Sequence, residues 1–166
     1  KDNFTFEVLC GINNATAEHN YDMVLFSTDP KRQESKSYSQ LCIERGVDGA
    51  ILQGIRTDDP YLHEVLESNI PCFLIDIPIK SDSVGYVTTD NVLGAVKAVD
   101  HLIQLGHHRI GMINGHQHAF VSKERLSGYR SALEAAGIEF NPSFVTDGQF
   151  LEEKAEKEAY NLLLKS

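Results

Sequence analysis

Short apolar runs alternate along this chain with stretches whose apolar residues recur every three or four positions. That alternation confines it to βαβ units built on parallel sheets. The runs YDMVLFST (21–28), GVDGAILQG (46–54), PCFLIDI (71–77), GYVTT (85–89) and HRIGMING (108–115) read as strands. Between them lie helical patterns. FTFEVLCGINNATAEHN carries Phe4, Val8, Ile12 and Ala15 on one face, which predicts a helix with that face buried. SKSYSQLCIERG, DDPYLHEVLESNI with Pro60 near its first turn, DNVLGAVKAVDHLIQLG, SKERLSGYRSALEAAG and LEEKAEKEAYNLLLK continue the series.

The step at residues 78–86, where apolar packing residues give way to IPIKSDS before the pattern restarts, marks a lobe boundary. It divides the chain into an N-terminal lobe, 1–80, and the first part of a C-terminal lobe, 81–166. The first lobe opens on a helix where a βα lobe places a strand, and the chain closes on a helix with no strand after it. A parallel sheet lacking such strands leaves ladder groups unpaired, so a chain continuing at both ends is expected.

Composition excludes several classes. A net charge of −9, with no Lys/Arg block longer than two residues, offers no basic face to a phosphate backbone. Cys10, Cys42 and Cys72 are spaced as neither a disulfide framework nor a zinc knuckle and read as buried thiols. No apolar run is long enough to span a membrane.

Five of the seven histidines crowd into HLIQLGHHRIGMINGHQH, residues 101–118. Their spacings match neither a helical zinc pair nor a four-ligand site, so no metal is expected. His101 reads as a histidine at the rim of a core, and His107 and His108 read as caps on the helix that Gly106 ends. His116 and His118 fall after a strand, at the edge where open α/β sheets hold ligands; solvated loop is the plainer reading. No nucleophile elbow, dinucleotide fingerprint or phosphate loop occurs, which leaves an enzyme and a cofactor without support.

The candidate binding residues follow from position. Asp76 closes the run CFLI, where a carboxylate faces a crevice or caps a turn. Asp90 precedes a helical pattern and reads first as its N-cap, second as a cleft residue. Arg125 lies in the first turns of the helix opened by Ser122, where a cation opposes the helix dipole; its fork suits paired hydroxyls or a carboxylate, and Glu124 balances its charge. Phe4 on the first helix and Phe120 in the loop before Ser122 read equally as core or as faces for a sugar ring. An acid, an arginine and aromatic rings around a cleft suit recognition of a small polyhydroxyl molecule.

DNVLGAVKAVDHLIQLGHHRIGMING, followed by SKERLSGYRSALEAAGI, closely resembles the effector-binding domain of the LacI/GalR family of bacterial transcriptional regulators. FTFEVLCGINNATAEHNYDMVLFSTD, ERGVDGAIL and CFLID add to the likeness, which covers nearly the whole chain. The resemblance implies an α/β, periplasmic-binding-protein-like fold of two lobes, each a parallel sheet flanked by helices in three layers, here partly represented. It implies that Arg125 and Asp76 hold an effector, a sugar or sugar derivative, from opposite sides of an interlobe cleft. Phe4 stands where the family carries an aromatic residue, although Asn3 and Thr5 depart from the usual N-P-F-F opening. It further implies a cytoplasmic homodimer that meets operator DNA through a separate N-terminal helix-turn-helix domain, with no membrane partner. The solute-binding component of a sugar transporter shares the fold and is the alternative.

Overall fold

The computed structural model describes residues 3–26 and 36–164. Ser27 and Thr28 of the expected first strand, Ser35 of the second helix and Lys165 of the last lie outside the described residues. The chain divides into two compact units, residues 1–36 and 37–166.

In the first unit, α1 (Asn3–Glu18) forms as its periodicity predicts, yet none of its residues is buried and Cys10 is exposed. The expected strand at 21–28 is not found: residues 21–26 belong to neither sheet, because a strand exists only through its ladder and no described residue supplies one.

The second unit holds both sheets. Ser37 opens α2 (Tyr38–Arg45) with a capping box: its side chain accepts from the Gln40 amide while the Gln40 side chain accepts from the Ser37 amide. The helix α3 (Leu62–Glu67) begins two residues after Pro60. β1 (Ala50–Leu52), β2 (Cys72–Ile75) and β3 (Val84–Val87) pair in that order as a parallel sheet, with Leu52 beside Leu74 and Leu74 beside Tyr86. The step at 78–86, read as a lobe boundary after residue 80, is thus followed by a strand that pairs with β2. The change of sheet comes after Val87.

The pleat sends alternate residues of β2 to opposite faces. Cys72 and Leu74 are buried with Tyr38, Leu62, Val65, Ile77 and Val84, and Leu74 is 0% exposed; Phe73, facing the other way, is exposed.

Beyond residue 87, α4 (Asn91–Gln104) and α5 (Phe120–Ala135) pack tightly on each other, and α5 packs on β4 (Met112–Asn114). At Gly128 the two helices approach so closely that a Cβ would meet the Val92 carbonyl and stand 2.9 Å from the Ala95 methyl. Val99, Ile110, Tyr129, Ala132 and Leu133 form this second core, and the Tyr129 hydroxyl donates to the Ile110 carbonyl at 2.7 Å. A 3-10 turn (Pro142–Phe144) leads into β5 (Val145–Asp147), which pairs in parallel with β4, and α6 (Glu152–Leu163) follows.

The C-terminus of α4 corrects one reading of the histidines. Gly106, at φ +87°, lets its own amide donate to the Ile103 carbonyl at 2.9 Å and the His107 amide to Leu102 at 3.1 Å. Backbone amides in a Schellman arrangement thus satisfy the last carbonyls, and the His107 and His108 side chains are exposed without a hydrogen bond among the described residues. His101 is exposed as well.

Candidate functional site

Asp76, Asp90 and Arg125 converge on the four residues that carry the chain from one sheet to the next. Asp76 follows β2 in left-handed backbone, φ +64°, a conformation that costs a non-glycine residue about 1 kcal/mol. Two bonds hold it there: its amide donates to the Val87 carbonyl at 2.9 Å, and its Oδ1 accepts from Thr88 Oγ1 at 3.1 Å. The turn role is therefore met by one amide and one carboxylate oxygen. Asp90 is the N-cap of α4, with Oδ1 accepting from the Leu93 amide at 2.8 Å.

Arg125 is oriented by a residue that sequence reasoning missed. Its Nε donates to Asn91 Oδ1 at 2.8 Å, and Asn91, 5% exposed, anchors itself by donating Nδ2 to the Thr89 carbonyl at 3.1 Å. One of five guanidinium donors is thereby spent on positioning, and among the described residues the others have no hydrogen-bond partner. The helix opens at Phe120 rather than Ser122, so Arg125 stands in the second turn, and the Asn91 amide explains its place better than the dipole argument. A signal for Asn91 existed in the pair DN: a capping acid followed by a short amide in the first helical turn.

Arg125, Asp90, Asn91 and Thr89 form the polar end of an open cavity of about 610 Å³; its other end is apolar, lined by α4 and by Ile110 and Met112. Such a volume is in the range of small-molecule sites.

Phe120 is the first residue of α5 and half-buried, not a loop residue as expected, because Ala119 in extended backbone starts the helix. Ser122, expected to open it, is buried in that first turn with an unpartnered hydroxyl. Phe4 is 55% exposed on α1, in the other unit.

A further aromatic residue was not anticipated. Phe150 follows β5, is 59% exposed, and with Gln149 adopts left-handed backbone, φ +59° and +52°. Its ring lies against Gly115 after β4, where a Cβ would overlap it. The ring is thus exposed at the carboxyl edge of a parallel sheet, the edge at which open α/β sheets hold ligands. Its signal was the turn pair DG two residues before an aromatic.

No cluster of metal-ligating side chains occurs among the described residues. Burial pushes the Cys72 thiol up to about 11, with Cys42 beside it, and Cys42 is raised by the same burial, so neither suits nucleophilic chemistry near neutrality. No described helix is long and apolar enough to cross a membrane.

Comparison with known proteins places the chain in a family. A family model described as periplasmic binding proteins and the sugar binding domain of the LacI family matches residues 1–166. The transcriptional regulator CelR of Thermobifida fusca is 33% identical over 145 residues, 86% of this chain and 42% of that regulator. The transcriptional repressor CytR of Escherichia coli is 30% identical over 164 residues, 98% of this chain and 48% of that repressor. This chain thus spans about half the length of the curated relatives it matches. Among solved structures, a CelR–cellobiose complex superposes with a TM-score of 0.81 at 30% identity, covering 95% of this chain and 49% of that one. The regulator CcpA of Lactococcus lactis gives 0.84 at 25% identity, covering 98% and 60%. The chain belongs to the family that joins the periplasmic binding proteins to the sugar binding domains of LacI regulators.

Proposed function

We propose that this chain is the sensing part of a bacterial transcriptional regulator, taking a small polyhydroxyl effector, a sugar or sugar derivative, at the polar residues around 88–91. The observation that carries the reading is the paired anchoring of Asp76 on Thr88 and of Arg125 on Asn91. It holds a carboxylate and a guanidinium with free donors at the carboxyl edges of two sheets. Residues up to Val87 supply one lobe and α4 onward the other. Phe150 adds an apolar face, as sugar rings require, with Phe120 and Phe4 as further candidates and Asp90 as an acceptor at the cleft edge. Relatives named as transcriptional regulators, one solved with cellobiose, favour the regulator over the transport protein. In the intact protein a separate helix-turn-helix domain binds operator DNA, two copies form a homodimer, and the site of action is the cytoplasm. Effector controls DNA by favouring one lobe arrangement.

The test is calorimetric titration of the intact regulator with a panel of mono- and disaccharides, cellobiose included. For the sugar that binds, Arg125→Ala is expected to weaken affinity by about 1.5–3 kcal/mol through loss of charge-assisted hydrogen bonds. Unchanged affinity in that variant removes Arg125 from the site.

A further inference from the structure

Two loops at the carboxyl edges of different sheets meet directly. Residues 53–61 follow β1, and residues 115–119 follow β4. The Thr57 amide donates to the His118 carbonyl at 2.8 Å, and Thr57 Oγ1 donates to the same oxygen at 3.0 Å. Lys123, in the first turn of α5, donates from Nζ to Thr57 Oγ1 at 3.4 Å. The second loop is braced from within: the Ala119 amide donates to the His116 carbonyl at 2.9 Å and the His118 amide to His116 Nδ1 at 3.0 Å, with the two rings 5.5 Å apart.

We infer that these loops form a latch between the two lobes, and that His116, which accepts the His118 amide on Nδ1, makes the latch sensitive to protons. A neutral imidazole has one acceptor nitrogen, whereas an imidazolium has none. Protonation of His116 therefore removes the brace on His118. The His118 carbonyl, which receives both Thr57 donors, is then held less firmly.

The surrounding charges push the same way or are already engaged. Two imidazolium rings 5.5 Å apart repel each other. Lys123 adds a third cation close to Thr57. In the other direction, His118 Nδ1 stands 3.6 Å from Asp58 Oδ2. That carboxylate is already forked by Arg56, Nε to Oδ1 at 2.8 Å and Nη2 to Oδ2 at 2.5 Å, which holds it below the usual carboxylate range. With both side chains over a third exposed, the His118–Asp58 pair contributes little. Asp59 is occupied by the Tyr38 hydroxyl and the Tyr61 amide, and Asp147, at the end of β5, by the Gln149 amide. The net result is a latch that is closed while His116 is neutral and loosens once it is protonated.

The consequence for effector binding rests on the proposed function, since a ligand that favours closed lobes then favours neutral His116. The latch itself does not, and its test needs no effector. Hydrogen exchange resolved to single amides is measured on the intact protein at pH 8.0 and 5.5, each amide normalised to its intrinsic rate at that pH. Protection of the Thr57 amide is expected to fall roughly threefold to tenfold at pH 5.5, the factor for losing one ordinary hydrogen bond. The Leu74 amide in β2 reports opening of the sheet that carries the first loop and is expected to hold steady. In His116→Asn, the side-chain Oδ1 takes the place of Nδ1 and does not titrate, so Thr57 protection at pH 8.0 is retained and its pH dependence disappears. Equal Thr57 protection at both pH values, a fall matched by Leu74, or a pH dependence that survives in His116→Asn each overturns the inference.

Discussion

The two halves of the larger unit bury themselves by different means. Up to Val87 the core lies on one face of a three-stranded sheet, with α2 and α3 laid against Cys72, Leu74 and Val84. From Asn91 onward the sheet has two strands, and the close packing of α4 on α5 through Gly128 provides most of the second core. The difference decides how each half presents a functional group. Arg125 rides on a helix locked to its neighbour and is held by a buried amide of that neighbour, so its orientation follows from packing. Asp76 sits where a strand ends, in costly backbone, and is held by two hydrogen bonds to residues 87 and 88. One half positions by contact and the other by strain.

The largest effects test whether the halves are separable. Leu74→Ala removes a fully buried side chain from the middle strand and is expected to cost about 2–5 kcal/mol in urea unfolding. Gly128→Ala pushes a methyl group against the Val92 carbonyl and is expected to cost about 1–3 kcal/mol as α5 backs away from α4. Hydrogen exchange then sharpens the contrast. Leu74→Ala should release amides of β1–β3 while α4 and α5 stay protected, and Gly128→Ala should do the reverse. Uniform release in both variants would mean that the halves unfold as one, and the distinction between them would be of packing alone.

Alkaline pH separates them by chemistry. The unfolded Cys72 thiol ionises near 9, whereas the folded one keeps its proton to about 11 because burial disfavours the thiolate. As pH rises through that window the unfolded state binds fewer protons, so stability present below pH 9 is progressively lost. Tyr129, in the other half, is raised by burial from a normal value of 10, so its contribution begins to fall only above that. Urea midpoints measured at pH 8.0 and 9.8 should therefore drop in the wild type, and the drop should shrink in Cys72→Ala. A drop of the same size in that variant would place the alkaline weakness elsewhere.

Legibility in the sequence followed the same divide. Helices with caps and long periodic faces were read correctly in type: α2 with its capping box, α4 with Asp90 before it and Gly106 after it, and α5 apart from its first two residues. Strands were harder, because a strand is completed by its neighbour. YDMVLF has the composition of a buried strand and belongs to neither sheet, while VTD is three residues with no apolar run and pairs with β4. GYVTT was recognised, but its allegiance to β2 is a matter of register, which no local pattern carries. Of the candidate site, the ionisable groups could be picked out because an acid at a strand end and an arginine early in a helix need explaining. Asn91 and the Thr57–His118 contact could not, since their roles depend on residues 34 and 61 positions away.

The smallest expected change in stability comes from Asp76→Asn, and it bears hardest on whether strain in the first half serves binding. Asparagine tolerates the left-handed region, and its side-chain oxygen accepts from Thr88 as the carboxylate does. Unfolding free energy should therefore shift by less than about 0.5 kcal/mol, as a change that leaves local contacts intact. Effector affinity, measured on the sugar identified for the intact regulator, should still fall by about 1 kcal/mol, because a hydrogen bond to a charged acceptor is replaced by one to a neutral acceptor. If affinity holds while stability drops, Asp76 is a turn residue whose charge serves the fold. If affinity falls at constant stability, the backbone strain at φ +64° is maintained for the ligand, and the first half contributes through it what the second contributes through Arg125.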